Sequence, residues 1–361
     1  MFDAGQQKFL LQCKPAVIPR SSAPFQVPYI ENFTKYMYDT GTGFLFKKYI
    51  TNLGTPNFVP QSKTRNFSVL LKREGEGNPW HCMLEILSLT LSFDVLRMAR
   101  NSMDNDPIFT EADIANTQIV VLDNRLDGPY WDLWRLFANK PILRLSNLTE
   151  ATPIDNIIVP LAGGSNPIWQ GDWEVQSCGT SSLLRTFVTR VLSFYRVETP
   201  SPNSAITVTF IDRHEGRRLV NQTRLLALAS TIPHVRIHSV DFTPLSFPDQ
   251  IRAVRDADVL IGVHGAGLTH AMWLHPGAAV AEILPHGLAH KGFRNLAQLL
   301  GLGYFSLHAA EEEVPGKGGR RVKRDKWHTH DVFVEEDRWL RLIRAAVADV
   351  YNKGDRNFDV A

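Results

Sequence analysis

The chain has 361 residues, 44% of them hydrophobic, and a net charge of +2 from 39 Lys and Arg against 37 Asp and Glu. This composition excludes an intrinsically disordered chain, and so small a charge gives no argument for a nucleic-acid partner. Three cysteines (Cys13, Cys82 and Cys178) and no C-x-x-C pair exclude a disulfide framework and a thiol redox or zinc centre, leaving room for at most one bridge.

Residues 1–63 mix Pro, Thr, Asn and aromatics without a sustained period, which predicts an irregular arm or edge structure. The opening stretch, MFDAGQQKFLLQCKPAV, lacks the basic flank and long apolar run of a signal peptide, and no apolar run reaches membrane-span length. The chain as given is therefore expected to be soluble and without a membrane anchor. It is either cytosolic or lacks an upstream targeting or anchor segment. Four N-x-S/T sequons, at Asn32, Asn66, Asn147 and Asn221, lean toward the secretory route.

From residue 67 the pattern becomes regular. FSVLLKR (67–73) predicts a strand, EGEGNP (74–79) a turn, and the run 80–100 a helix started by Pro79. TQIVVLDN (117–124) predicts a strand, 130–138 a helix, 156–161 a strand and 181–197 a long helix. ETPSPNSA (198–205) breaks both periods and marks a domain boundary.

The alternation then restarts. Strands are expected at 205–213, 235–240, 258–263, 278–285 and 303–308, and helices at 218–231, 246–257 and 291–302. A further helix of about two turns is expected after the glycine turn at 264–267. GKGGRRVKRDK (316–326) predicts a solvated basic loop, and 335–352 an amphipathic closing helix. The domain limits implied are an arm over 1–63, a Rossmann-like domain over 64–200, a second over 201–334, and a helix and tail over 335–361. The fold class is α/β.

The stretch DADVLIGVHGAGLTH (256–270) concentrates the chemistry. An apolar run gives way to His264, Gly265, Ala266 and Gly267 where a strand should hand over to a helix. In open α/β sheets, ligands sit beyond the carboxyl ends of strands, and glycines there admit a phosphate against backbone N–H groups. The spacing is neither a full dinucleotide fingerprint nor a P-loop, and a tight turn with no ligand is the bland alternative. Arg213, Arg217 and Arg218 follow another strand end and suit phosphate oxygens, with a solvated basic face as the alternative. Glu282, a lone acid in AAVAEIL, is placed to meet a ribose hydroxyl. His81 and Glu85 stand four apart on a helix and form an acid–base candidate pair; a helix start with one exposed Glu is the alternative. Asp256-Ala-Asp258 and Asp104-Asn-Asp106 read D-x-D, a pattern with which some sugar-nucleotide enzymes hold Mn²⁺. The first is expected to end a helix and start a strand and the second to make a turn, so no metal site is assigned.

Together these residues resemble glycosyltransferase family 61 (DUF563). DADVLIGVHGAGLTHAMWLHPGAAVAEILP resembles its signature; FIDRHEGRRLVNQTRL (210–225) resembles its strand-then-arginine segment, with Gln222 where Glu is usual. NPWHCMLEILSLTLSF (78–93) resembles its His-containing segment, with Glu85 where Asp is common, and FRNLAQLLGLGYF (293–305) its closing segment. The likeness runs from about residue 65 to 350.

The resemblance implies a GT-B-like architecture, two Rossmann-like domains facing a central cleft. It implies inverting transfer of a sugar, GlcNAc or xylose, from a UDP-sugar to a hydroxyl of a protein or glycan. It also implies residence in the Golgi or endoplasmic reticulum lumen. Gly265, Ala266, Gly267 and Leu268 would then give N–H groups and Thr269 a hydroxyl to the diphosphate. Arg213 and Arg218 would neutralise the leaving UDP, Glu282 would take the ribose, and His81 or Glu85 would be the base. His264 would otherwise touch sugar or phosphate. No cofactor is firmly implied, and Mn²⁺ has no support. Two alternatives stand beside this: a non-catalytic member that binds a nucleotide sugar or glycan, and an NAD-dependent oxidoreductase.

Overall fold

A computed structural model describes residues 1–11, 39–54, 65–100, 105–152, 154–177, 179–198, 205–310 and 328–353. Cys13, Cys178, Asn32, Asp104 and the basic loop expected at 316–326 lie outside the described residues. The chain divides into two compact units, Met1–Gln170 and Gly171–Ala361.

The first unit begins with β1 (Phe2–Asp3), β2 (Lys8–Leu11), α1 (Thr42–Tyr49) and β3 (Ile50–Asn52), where β1–β2–β3 form a small sheet. The described parts of the arm are therefore regular. Phe2, Phe9, Leu45 and Tyr49 share a core with Leu70, Val120 and Leu122. These elements are too short to show a period in the sequence.

Next come β4 (Phe67–Leu71), α2 (Pro79–Met98), α3 (Glu111–Ile114), β5 (Thr117–Val121), β6 (Leu143–Arg144), β7 (Asn156–Ile158) and α4 (Pro167–Gln170). The order β6–β5–β4–β7 is parallel throughout. Pro79 stands at the first turn of α2, where its missing N–H costs nothing, and Asn78 Oδ1 accepts from Trp80 N–H at 3.0 Å. The helix expected at 130–138 is instead a 3-10 segment, Trp131–Leu136, confined between Pro129 and Pro141.

The second unit carries α5 (Ser182–Phe194), β8 (Ile206–Asp212), α6 (Gln222–Ala229), β9 (Val235–Asp241), α7 (Phe247–Arg255), β10 (Val259–Val263), β11 (Ala279–Leu284), α8 (Gly292–Leu300), β12 (Gly303–His308) and α9 (Glu336–Lys353). Its sheet is parallel, in the order β12–β11–β10–β8–β9. Read from β9, the chain order is second, first, third, fourth, fifth. This is a doubly wound sheet whose winding reverses between β8 and β10.

The unit boundary falls upstream of the expected break at 198–205. The reason is α5: Ser181 N–H donates to Leu299 O at 2.7 Å, tying the start of α5 to α8. The closing helix α9 also belongs to this unit. Trp339, buried, lies 6.2 Å from the Phe210 ring and donates Nε1–H to Leu225 O at 2.7 Å. Helix α6 starts later than expected because Asn221 is left-handed (φ 56°) and Leu219 bridges Val332 as a strand would.

Candidate functional site

Strands β8 and β10 are neighbours, and their carboxyl ends carry the arginine cluster and the glycine turn. Chemistry that the sequence places 47 residues apart, from Arg217 to His264, thus meets at the point where the sheet reverses its winding. Arg217 Nη1 donates to His264 O at 2.7 Å, and Arg213 Nε donates to Gly216 O at 3.2 Å. A Cβ on Gly265 would stand 2.6 Å from Arg213 Nη1 and 3.2 Å from Arg217 Nη2. Only a glycine lets both guanidiniums lie against the turn. Burial lowers the pKa of both arginines; for Arg217, with the Arg213 charge adding to the effect, it falls to about 10. Two cations crowded in a half-buried place are relieved by an anion.

The turn continues as a 3-10 helix, Ala266–Trp273, rather than an α-helix. Ala266 and Gly267 are partly exposed. Leu268 differs from expectation: its N–H donates to Gly265 O at 2.9 Å and its side chain is buried. Thr269 is 1% exposed, and its Oγ1 has no hydrogen-bond partner. His270 is buried in the same turn. Its ring meets Gly267 O at 2.9 Å and Gln250 Oε1 at 2.8 Å, tying the turn to α7, and burial pushes its pKa down to about 4.

His264 and Glu282 form the buried polar centre. His264 Nδ1 lies 2.6 Å from Glu282 Oε1, and Tyr304 donates its hydroxyl to Glu282 Oε2 at 2.6 Å. Glu282 is 1% exposed with both oxygens engaged, so it is enclosed rather than presented to a ribose. Its evident work is to hold the His264 Nδ1–H tautomer, which makes Nε2 the accepting nitrogen. Burial lowers the His264 pKa against the opposing pull of Glu282, which favours neutral imidazole. The His264 ring stands 4.7 Å from that of His290.

Arg218 points elsewhere. Its side chain, 57% exposed, pairs with Asp331 at 2.6 Å. Asp258 accepts Thr207 N–H at 2.7 Å and meets His275 Nε2 at 3.2 Å, so it serves the strand end. Among the described residues, no group of three or more His, Cys, Asp and Glu side chains is placed to hold a metal ion.

In the first unit, His81 is partly buried on α2, its ring 4.3 Å from Trp169, and burial lowers its pKa. Glu85 is buried and accepts Glu74 N–H at 2.9 Å. Glu74, also buried, accepts from Thr40 Oγ1 at 2.7 Å and Gly164 N–H at 2.9 Å. Glu74 stands in the turn stretch EGEGNP, where no local pattern singles it out. Burial first, and the Glu74 charge second, hold the Glu85 pKa well above the ordinary carboxylate range.

A raised acid pKa favours folding while the group is protonated. That contribution is whole below the unfolded value and is lost as pH rises toward the folded one. Glu85→Gln, which keeps the accepting oxygen, is therefore expected to stabilise the first unit near pH 7, with the gain vanishing below about pH 4. Urea melts at the two pH values test this. An equal effect at both would remove the titration argument.

A family model described as Glycosyltransferase 61 matches residues 79–281, more than half of the chain. The chain is also similar to EGF domain-specific O-linked N-acetylglucosamine transferases. With that of Drosophila melanogaster it shares 28% identity over 187 residues, 49% of this chain and 35% of the relative. With that of Bos taurus it shares 30% over 175 residues, 46% of this chain and 33% of the relative. The chain thus matches about a third of the length of these curated relatives.

Proposed function

The chain belongs to the glycosyltransferase 61 family, and from that premise we propose that it is a glycosyltransferase whose second unit binds the diphosphate of a UDP-sugar at the Gly265 turn. The observation that carries this is the convergence of Arg213 and Arg217 on Gly265 where the winding of the sheet reverses. Phosphate oxygens would take the guanidinium forks and the N–H groups of the partly exposed Ala266 and Gly267, whereas Thr269, enclosed like Glu282, is not presented to them. As the bond to the sugar breaks, charge builds on the leaving UDP beside two fixed cations, which lowers the barrier.

The sugar is GlcNAc, with xylose second, and the acceptor a hydroxyl of a protein or glycan, as the names of the relatives suggest for GlcNAc. His81 is the better base of the two candidates. It is partly exposed and its lowered pKa favours the neutral form, whereas Glu85 is buried and burial raises its pKa, which disfavours the carboxylate a base must present. The GT-B-like arrangement and a secretory-pathway lumen belong to the same proposal. No helix of the described residues is long and apolar enough to cross a membrane.

Titration calorimetry with UDP tests the donor site; a folded chain that does not bind UDP would sink it. Gly265→Ala is expected to displace Arg213 and weaken UDP binding about tenfold, the scale of one charged hydrogen bond. Unchanged affinity would show that the close approach is incidental. His81→Ala separates transfer from binding: lost turnover with UDP binding kept supports the base assignment. Undiminished turnover would remove it. A wild-type chain that binds UDP-sugar yet transfers nothing to any acceptor is the non-catalytic member. The dinucleotide alternative is disfavoured because the turn, GAGLTH from Gly265, lacks the third glycine of that fingerprint.

A further inference from the structure

Trp173 is 57% exposed, although its neighbours Gly171 and Asp172 are buried. A large ring left in water forgoes the stabilisation that burial gives. The turn that carries it is not loose. Asn295, fully buried, donates its amide to Gly171 O at 3.1 Å and Glu174 O at 2.7 Å, and accepts Gln176 N–H at 3.2 Å. Lys291 N–H donates to Asp172 O at 2.6 Å. The exposed ring is thus held in place by a clamp of buried polar groups.

The ring also continues the wall of the donor site. Its centroid lies 5.1 Å from that of His290, edge-on, and His290 stands 4.7 Å from His264. His290 is itself fixed: Nδ1 accepts Gly292 N–H at 3.1 Å, which leaves Nε2–H to face Asp172 Oδ2 at 3.3 Å. From Gly265 the wall runs through His264 and His290 to an exposed indole, with imidazole and carboxylate edges beside it. A pyranose has the matching surface, C–H groups on one face and hydroxyls around the rim.

We propose that Trp173 is a stacking platform for a pyranose ring and a specificity-determining residue of the site. The inference rests on the nucleotide-sugar assignment above. The ring belongs to the donor sugar or to a glycan acceptor, and the experiment distinguishes the two. The full chain, Trp173→Ala and Trp173→Phe are titrated with UDP, UDP-GlcNAc, UDP-xylose, chitobiose and xylobiose.

Trp173→Ala is expected to keep UDP affinity and to lose about tenfold in affinity for a UDP-sugar, if the donor ring stacks, or for a disaccharide, if the acceptor ring does. Trp173→Phe, which keeps an aromatic face, should retain most of it. Leu183→Ser, at another exposed apolar residue, should change nothing. Sugar binding by Trp173→Ala indistinguishable from wild type, with UDP binding intact, overturns the platform alone. A folded wild type that fails to bind UDP overturns the donor site and the platform with it.

Discussion

Arg217→Ala is expected to lower UDP affinity between about tenfold and a hundredfold, the loss of a charge-assisted contact worth about 1.5–3 kcal/mol. Two effects add. The variant removes one of two cations facing the anion, and it releases the His264 carbonyl, which Arg217 holds at 2.7 Å. Arg217→Lys should recover only part, because a point charge cannot reach carbonyl and phosphate together as a planar fork does. Arg218→Ala is the informative control. Its partner Asp331 lies away from the turn, and such exposed pairs contribute little, so UDP affinity should barely move. Calorimetric titration of the three variants decides it. A large loss in Arg218→Ala beside a silent Arg217→Ala would move the donor site away from the glycine turn.

Glu282→Ala should destabilise the second unit by about 3 kcal/mol. It strands the Tyr304 hydroxyl and the His264 Nδ1–H inside the protein, and each stranded donor costs roughly 1–3 kcal/mol. Glu282→Gln separates stability from function. An amide oxygen can still accept from His264, and its NH₂ can donate to a reoriented Tyr304 hydroxyl, so the fold should survive. The negative charge beside the imidazole is lost, however, and turnover should fall more than UDP affinity. Urea denaturation with donor titration and turnover tests both variants. A fully stable Glu282→Ala would mean that the triad is not the buried anchor its geometry describes.

The strand–helix alternation was legible because apolar runs and glycine or proline breaks are local signals. The helix starts were legible for the same reason: Pro79 opens α2, and the helices expected at 181–197 and 246–257 begin beside Ser181 and Ser246. The glycine turn was legible as a turn because two glycines follow a buried apolar run. The choice among three arginines was not. Gly216 and Arg217 take left-handed conformations (φ 55° and 54°), and the following residues bridge Val332. That sends Arg217 to His264 and Arg218 to Asp331. Neither partner is near in sequence, so no spacing rule could assign them.

Glu282 shows the same division in one residue. Its apolar flanks marked it as an acid with a purpose, but not which purpose. His264 and Tyr304 reach it from β10 and β12, the strands on either side of β11. Composition, periodicity and glycine placement by themselves determined an α/β protein with a glycine turn after a buried strand, because those properties act over a few residues. Only the tertiary structure decided the strand order, the reversal between β8 and β10, and which polar groups are enclosed and which presented. Those depend on contacts between residues far apart along the chain, where hydrogen bonds must be satisfied and charges face one another only once the sheet has formed.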